Sequence, residues 1–467
     1  MLDPIFAEDI DGSSIYSRSF AVRQRDNVSN LVIAGFVAAS VYLLVYGVFY
    51  PGLINFDTAE MLNQAVSNYC RDWHSPAIVV LWRLLNHLAQ GPAVLLGAGL
   101  LLYSVAALYF AQASTTRLAP CVAALLLLCL WPPILDDLAL VGKDQLFLAS
   151  FMLFVALLFG TLKEGRLTAG SLFWLIPLLF LAAGVRQDSA AILVPPLALL
   201  YRLRWGWRVA GPLALASVIV AFVAVKGFNG YVAHAEKDFA VQTTLIHDLA
   251  GISDQTDHPL IPSYADPGFD LGEMKGRYTP RSGDPLMFDG SRPDIQITYD
   301  KRQAEELKTL WEKSVLRYPR AYLQHRFATF TYLIGIEEPM PYQLYQLDTD
   351  SNMHGVYPNL AEIDLSNPDN AAVSFYRQEI VPALGETPMF RGYAYDLVIL
   401  FGMALALYRR RPLQDRLIVA LGCGALLHQW LLFFASPAAL FRYLYPSVLT
   451  CLVIVLLTLT RATVSEK

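Results

Sequence analysis

The segment Leu31–Tyr50 reads LVIAGFVAASVYLLVYGVFY and contains no charged residue. A helix needs about 20 predominantly apolar residues to cross the hydrocarbon core of a bilayer, so this segment predicts a membrane-spanning helix. Pro51 and Gly52 follow it, without the small-residue cleavage site of a signal peptide. We therefore expect an uncleaved first span, preceded by a cytoplasmic N-terminal segment, residues 1–30.

Apolar segments of this kind recur along the chain and predict an all-α polytopic membrane protein with about ten transmembrane helices. The composition agrees, because 55% of the 467 residues are hydrophobic and 16% are charged, whereas about a quarter of an ordinary soluble domain is charged. The predicted spans are Leu31–Tyr50, Pro92–Ala113, Leu118–Leu135, Gln145–Leu162, Leu172–Gly184, Ala190–Tyr201, Val209–Val225, Tyr395–Leu407, Leu417–Ala435 and Pro446–Thr460. The fifth and sixth are short, so their ends must extend through polar residues or lie where the bilayer is thinned or replaced by protein.

A long acidic segment, residues 227–390, interrupts the apolar pattern. It contains 24 acidic and 13 basic residues, whereas the rest of the chain contains 16 acidic and 22 basic residues. Its length suits a small domain, and turns rich in Pro, Gly and Asp predict a mixed or irregular fold. The aromatic stretch Ala321–Ile336 predicts a helix lying at the membrane surface. The segment separates one transmembrane region, residues 31–226, from a second, residues 391–467.

The distribution of cations among the loops predicts the orientation of the chain. Short cytoplasmic loops are enriched in Lys and Arg, and with the N-terminus inside the cell every cytoplasmic loop is basic. The cytoplasmic cations are then Arg18, Arg23, Arg25, Arg117, Lys163, Arg166, Arg202, Arg204, Arg208, Arg409, Arg410, Arg411, Arg416, Arg461 and Lys467. The short outer loops carry mainly single cations, namely Arg71, Lys143, Arg186 and Arg442. We therefore expect both termini in the cytoplasm and the acidic segment outside.

Other classes of protein are disfavoured by the charge and by missing motifs. A net charge of −5 offers no general electrostatic footprint for nucleic acid. Five cysteines in a chain of this length form no disulfide framework. The sequence contains no Walker phosphate loop, no dinucleotide fingerprint, no HExxH zinc helix and no G-x-S-x-G elbow.

The first outer loop, residues 51–90, contains an acidic motif that begins at Phe56. Asp57, Glu60 and Gln64 are spaced i, i+3 and i+7, so a helix would place all three on one side. This arrangement makes Asp57 a candidate catalytic carboxylate. Alternatively, Asp57 serves only as the N-cap or first-turn acid of that helix.

Further ionisable residues follow the predicted spans at the same membrane face, namely Lys143, Asp144, Arg186 and Arg442. Charged residues at membrane depth are rare and are functional candidates by default, although single cations can also be anchors that reach the lipid headgroups. A carboxylate beside several cations suits transfer from a lipid-linked sugar phosphate. The cations would stabilise charge that builds on the phosphate, and the carboxylate would take the proton of the attacking hydroxyl.

The motif that contains His74 allows three interpretations. The imidazole could be held near Asp72 at the interface, it could bind a sugar or a phosphate, or it could join Asp57 in holding a divalent metal. The remaining polar residues of the outer turns favour structural positions: a helix end or loop for Asp136 and Asp137, and the aromatic belt for Tyr443 and Tyr445.

Seven short motifs occur in a characteristic order: Tyr50-Pro-Gly, Phe56-Asp-Thr-Ala-Glu60, Asp72-Trp-His-Ser-Pro76, Gly142-Lys-Asp144, Val185-Arg-Gln-Asp188, His247-Asp-Leu-Ala-Gly-Ile-Ser253 and Phe441-Arg-Tyr443. Their order and sidedness resemble the bacterial GT-C superfamily of glycosyltransferases, polytopic enzymes that use polyprenyl-phosphate sugars. The resemblance implies a GT-C-like fold in a bacterial inner membrane and an inverting transfer to an acceptor hydroxyl outside. It also implies that Asp57 is the general base and that Lys143, Arg186 and Arg442 contact the donor phosphate.

The resemblance adds candidate substrate-binding residues, namely Glu60, His74, Asp144 and Tyr443. It leaves the acceptor open among a glycan, a lipid and a protein, and a divalent metal stays possible because members of the superfamily differ in metal use. One alternative is a ligase or polymerase that moves a whole lipid-linked glycan. Another is a transporter or flippase of an anionic lipid, which would place charged residues at the bilayer midplane; Lys226 and His428 are the candidates there.

Overall fold

The regular structure is helical throughout the part of the chain that the computed structural model describes, which is residues 12–266, 268, 270–288, 295–337, 353–411 and 413–460. Within these ranges there are no β-strands, and only isolated bridges join loops. The all-α prediction is therefore confirmed, whereas the mixed character predicted for the insertion is wrong for its described part. The predicted cytoplasmic cations Arg461 and Lys467, and residues 1–11, lie outside the described residues.

The helices follow the apolar pattern up to the insertion and again after it. The first region contains α1 (Gly12–Phe49), α2 (Phe56–Val66), α3 (Pro76–Leu85), α4 (Pro92–Ser114), α5 (Leu118–Leu130), α6 (Pro132–Ala139), α7 (Lys143–Glu164), α8 (Ala169–Val185), α9 (Val194–Tyr201) and α10 (Trp207–Gly227). The insertion contains α11 (Gln242–Thr256), α12 (Leu271–Arg277), α13 (Asp284–Met287), α14 (Lys301–Arg317), α15 (Pro319–Leu333), α16 (Met353–Val356), α17 (Ala371–Phe375) and α18 (Val381–Gly385). The chain ends in α19 (Gly392–Arg409), α20 (Gln414–Ala435) and α21 (Tyr445–Leu459).

Several helices have the length and apolarity that a membrane span requires. Within the described ranges there are six, namely Val28–Phe49, Pro92–Ser114, Lys143–Glu164, Trp207–Val232, Gln414–Ala435 and Phe441–Leu459. The bent pair α5 and α6 adds a seventh if it forms one span. The other predicted segments also fall on helices, but Ala169–Val185 and Ser189–Tyr201 are shorter. These helices indicate a membrane protein.

The predicted third span, Leu118–Leu135, is not one straight helix. It divides at Trp131 into α5 and α6, whose axes are bent by 56°. Two prolines begin α6, and proline both lacks an N–H donor and forces the preceding residue into an extended conformation. The bend places Asp136 and Asp137 in the last turn of α6, near a helix end as predicted, with both side chains buried.

The turn-forming residues of the insertion act as helix N-caps, and they do not connect β-strands. Asp270 accepts a hydrogen bond of 2.7 Å from the backbone N–H of Glu273 at the start of α12. Asp300 accepts one of 2.9 Å from the N–H of Gln303 at the start of α14. Because such caps satisfy donors that a helix leaves unpaired, the Asp-rich turns of the insertion favour short helices.

Helix α15 covers the stretch that the sequence predicts to lie at the membrane surface. Leu323 and Phe327 are exposed on it, whereas His325 and Arg326 are fully buried. The buried pair contacts Asp248 of α11. His325 and Arg326 of α15 therefore belong to the interior of the insertion, and the membrane-surface location of the helix stays a prediction.

The connection between α1 and α2 is tied to the connection between α6 and α7. The N–H of Leu53 donates to the carbonyl of Ala139 (2.9 Å), and the N–H of Val141 donates to the carbonyl of Leu53 (3.0 Å). Gly52 adopts a φ of +122°, and a Cβ atom there would lie 2.1 Å from a methyl carbon of Val141. This close approach requires glycine, and it brings the start of α2 beside the start of α7.

Candidate active site

Asp57 lies in the first turn of α2, in the connection between the long apolar helices α1 and α4. The N-cap of α2 is Asn55, whose side chain accepts a 2.9 Å hydrogen bond from the N–H of Thr58. The hydroxyl of Thr58 donates to the carbonyl of Val141 (2.6 Å). Because Asn55 caps the helix, the carboxylate of Asp57 is free to face the start of α7.

Two cations from distant parts of the chain contact the same carboxylate oxygen of Asp57. Lys143 Nζ lies 3.4 Å from Asp57 Oδ2, and Arg442 Nη1 donates to that oxygen over 3.1 Å. Lys143 is the first residue of α7, and Arg442 lies in the 3-10 helix Phe441–Leu444. The sequence separates Asp57 from Arg442 by 385 positions, so only the packing of α2 against the C-terminal region creates this contact.

A second layer of charge lies behind the first. Arg442 Nη1 is 3.9 Å from Asp144 Oδ2, and Arg186 forms an ion pair with Asp144 in which both side chains are 5% exposed. The aromatic ring of Tyr443 lies against both guanidinium groups, 5.1 Å from that of Arg186 and 5.7 Å from that of Arg442. Arg186 therefore supports Asp144 and Arg442 from within the protein.

His74 connects Lys143 to Glu60. Its Nε2 lies 3.0 Å from Glu60 Oε2, and its Nδ1 lies 3.3 Å from Lys143 Nζ. Because an ammonium group can only donate, this geometry requires that Nδ1 accepts and that Nε2–H donates to the Glu60 carboxylate. The predicted proximity of His74 to Asp72 is wrong as a pairing: Asp72 instead accepts a 2.7 Å hydrogen bond from the N–H of Asp238.

The predicted aromatic belt position is wrong for Tyr445 and unsupported for Tyr443. Tyr445 is 3% exposed, and its hydroxyl donates to Asp136 Oδ2 over 2.8 Å. Tyr443 packs on the two arginines. Tyr443 lies in the 3-10 helix Phe441–Leu444 and Tyr445 begins α21, so this turn directs Tyr443 to the two arginines and Tyr445 to Asp136.

A narrow cleft opens on this cluster. It is lined by Asn55, Asp57, Thr58, Met61, Leu140, Val141, Gly142, Lys143, Asp144 and Arg442. The candidate carboxylate and two of the three candidate cations therefore share one cavity. Arg186 does not line this cleft, and its contact with Asp144 places it one layer behind.

The electrostatics of the cleft keep Asp57 ionised. Burial raises the pKa of the Asp57 carboxyl, but the charges of Lys143 and Arg442 outweigh burial and hold its pKa well below the usual range. An opposite charge within about 4–6 Å favours the ionised form of a carboxyl group. In this arrangement Asp57 is therefore a counter-ion to two cations and a weak base.

A divalent metal does not fit the described residues. In that part of the chain, no group of three or more His, Cys, Asp and Glu side chains converges as metal ligands would. The Asp57 oxygen that could bind a metal already contacts Lys143 and Arg442. These two side chains supply positive charge where a metal would supply it.

Two acidic residues near the cleft were not among the site residues predicted from the sequence. Asp137 is 1% exposed, has no hydrogen-bond partner among the described residues, and interacts electrostatically with Asp144, Arg186 and Arg442. Asp284, at the start of α13, interacts electrostatically with Arg442 and Asp57. The Ser-Gly-Asp-Pro motif around Asp284 is typical of a turn, and no local pattern indicates that Asp284 interacts with Arg442 and Asp57.

The fold and the site define a helical membrane protein with a network of carboxylates and cations, and with an insertion that is helical where the structure describes it. The eight residues selected from the sequence as site candidates, Asp57, Glu60, His74, Lys143, Asp144, Arg186, Arg442 and Tyr443, form one connected cluster. In comparisons with known proteins, no family model and no curated protein matches this chain.

Proposed function

We propose that the protein is a GT-C-like membrane glycosyltransferase that moves a sugar from a polyprenyl-phosphate donor to an acceptor hydroxyl on the outer face of a bacterial inner membrane. The observation that carries the proposal is the contact of the Asp57 carboxylate with Lys143 and Arg442 in one cleft. At this spacing the carboxylate can act as a general base while the two cations stabilise an anionic leaving group.

The proposed topology has ten spans, with both termini in the cytoplasm and the insertion outside. It is supported by the basic loops, which follow the positive-inside rule. It counts the bent pair α5 and α6, the shorter helix α8, the helical segment Ser189–Tyr201 and α19 as spans beside the six longer helices. The cleft would then open at the outer face, beside the headgroup of the donor.

In the proposed mechanism the donor phosphate replaces Asp57 as the partner of the two cations. The phosphate oxygens bind Lys143 and Arg442, which weakens their hold on Asp57 and raises its basicity. Asp57 then accepts the proton of the acceptor hydroxyl while the oxygen of that hydroxyl attacks the anomeric carbon from the opposite side. The bond between the anomeric carbon and the phosphate oxygen breaks, and the polyprenyl phosphate leaves with the bonding electrons.

The surrounding residues would hold the two cations in place. His74 accepts one N–H of Lys143, which leaves the other donors of the ammonium group for Asp57 and the phosphate. Asp144 contacts Arg442 and is itself held by Arg186. Preorganised donors of this kind stabilise developing charge without reorganising during the reaction.

The test of the proposal is a transfer assay with product analysis. Purified protein in vesicles is given a panel of polyprenyl-phosphate-linked hexoses labelled in the sugar, with a cell-envelope fraction as acceptor. Addition of one labelled sugar, seen by mass spectrometry, supports the proposal. Addition of many sugars from a lipid-linked oligosaccharide would indicate a ligase or polymerase, and movement of the lipid across the vesicle without a covalent product would indicate a transporter.

The pH dependence of transfer should show how the ion pair with Lys143 affects the pKa of Asp57. A carboxyl group with a lowered pKa stays ionised, and can act as a base, until the pH falls through that pKa. Protonation of Asp57 should therefore not reduce kcat/KM between about pH 7 and 5. Lys143→Met removes one of the lowering charges and leaves burial, so the pKa of Asp57 should rise and the acidic decline in kcat/KM should begin at a higher pH.

The control for this measurement is Lys275→Met, which removes the partner of Asp257 on the exposed surface of the outer domain. The control should keep the pH profile of the unmodified protein. Identical acidic declines in the Lys143→Met and unmodified proteins would contradict the assignment of Asp57 as the base whose basicity Lys143 controls.

A further inference from the structure

The interior of the outer domain contains a second cluster of charged residues. Asp248, His325 and Arg326 are fully buried. Arg326 Nη2 donates to Asp248 Oδ2 over 2.7 Å, and Arg326 Nε lies 2.7 Å from Asp248 Oδ1. Since burial of an unpaired charge is strongly destabilising, the two-point contact between the guanidinium and the carboxylate is what allows both groups to be buried.

The carboxylate of Asp248 is held from other sides as well. Trp311 Nε1 donates to Asp248 Oδ2 over 2.7 Å, and His325 Nε2 lies 3.2 Å from Asp248 Oδ1. Tyr278 Oη lies 2.7 Å from His325 Nδ1. Residues from α11, α14 and α15 therefore meet at one carboxylate, which fixes the position of Arg326.

One hydrogen bond of Arg326 joins the outer domain to a loop outside that domain. Its Nη1 donates to the carbonyl of Ser436 over 2.7 Å, in the loop between α20 and the 3-10 helix Phe441–Leu444. A hydrogen bond from a charged donor is roughly twice as strong as one between neutral groups. The outer domain thus holds the backbone of this loop with a buried guanidinium.

Further contacts hold the same loop, residues 436–440. The N–H of Ala439 donates to the carbonyl of Arg281 over 2.6 Å, and Ser282 forms a bridge with Ala438. The hydroxyl of Ser436 donates to the carbonyl of Ala438 over 2.5 Å. The loop is therefore a rigid connection from the outer domain to Arg442, which follows two residues after it.

We infer that Arg326, fixed by Asp248, is a positioning residue for Arg442, and that the outer domain in this way sets the geometry of the cleft. A buried ion pair adds little net stability compared with a well-packed apolar pair, whereas the bond to Ser436 couples two parts of the chain. The inference rests on the proposed function in one respect: the proposed function makes the donor phosphate the ligand of Arg442.

The test uses Arg326→Lys in the full-length protein. Lysine keeps the charge but cannot contact Asp248 at two points and Ser436 at a third. We expect faster hydrogen exchange at the backbone amides of residues 436–444 and a decrease of about tenfold or more in the rate of transfer. In an Arg442→Lys background the same change should cost little more, because residues that act through one another have non-additive effects.

A second variant and a matched control keep the test decisive. Ser436→Ala removes the side-chain bond within the loop but keeps the hydrogen bond from Arg326 to the backbone carbonyl of residue 436, so exchange at residues 436–444 should increase less than in Arg326→Lys. Tyr264→Phe removes a hydrogen bond to the carbonyl of Gln303 within the outer domain, away from the loop, and should leave exchange at residues 436–444 unchanged.

Normal exchange at residues 436–444 in a folded Arg326→Lys protein would overturn the inference, as would fully additive effects of Arg326→Lys and Arg442→Lys. The exchange measurement needs no substrate. If the unmodified protein transfers no sugar, the proposed function fails, while slow exchange that depends on Arg326 still supports the link between the outer domain and the Arg442 loop.

Discussion

Replacing Asp57 with asparagine should lower the rate of sugar transfer by about 10²–10⁴-fold, the usual contribution of a general base. Asparagine keeps the shape of the side chain but cannot accept a proton from the acceptor hydroxyl. The substitution also removes the anion that Lys143 and Arg442 contact. Donor binding should therefore be retained or tightened while the transfer step is lost.

Transfer of labelled sugar and binding of the donor are measured on the same preparations. Asp257→Asn is the matched control, because Asp257 is an exposed acid that pairs with Lys275 within the insertion. Equal expression, membrane insertion and thermal stability of the two variants would show that folding is intact. Near-normal transfer by Asp57→Asn would remove Asp57 from the mechanism.

Replacing Arg442 with glutamine should lower kcat/KM for the donor by about 10²–10³-fold, as the loss of a donor to developing charge does in other enzymes. The guanidinium lies between Asp57 and Asp144 and packs on Tyr443. Glutamine keeps a polar group but loses the charge that the departing phosphate needs. Arg442→Lys should restore activity in part, because lysine supplies charge without the planar, two-point contact of arginine.

The matched control for this prediction is Arg302→Gln, an exposed arginine on α14. Its kinetics should equal those of the unmodified protein. The separate effects on kcat and KM distinguish the two roles of Arg442, since a phosphate contact made mainly in the transition state lowers kcat. Unchanged kcat and KM in Arg442→Gln would leave Arg442 only as a counter-ion of Asp57.

Much of the helical framework could be predicted because its pattern is local. Leu31–Tyr50 and the other long apolar segments form helices, since an apolar segment in a bilayer must satisfy its backbone hydrogen bonds internally. The spacing of Asp57 and Glu60 likewise predicted their shared helix. The same local pattern failed at Trp131, where two prolines divide an apolar segment into two bent helices.

The partners of the candidate residues were not predictable in the same way. The sequence left three interpretations of His74 open, one of them close to Asp72, but the packing of α2 against α7 pairs His74 with Glu60 and Lys143. Tyr445 looked like an interfacial residue, yet the 3-10 turn before α21 directs it to Asp136. Such contacts depend on how loops fold over one another, and hydrophobic periodicity carries no information on that.

The sequence by itself determined the apolar helices, the acidic insertion, and four of the residues that line the cleft, namely Asp57, Lys143, Asp144 and Arg442, because apolar length, charge and spacing act over one or two turns of chain. Only the tertiary structure decided that Arg442 reaches Asp57 across 385 positions, that Arg186 lies one layer behind, and that Arg326 holds the loop before Arg442. An ion pair requires atoms within a few ångströms of each other, and the packing of distant elements alone brings them there.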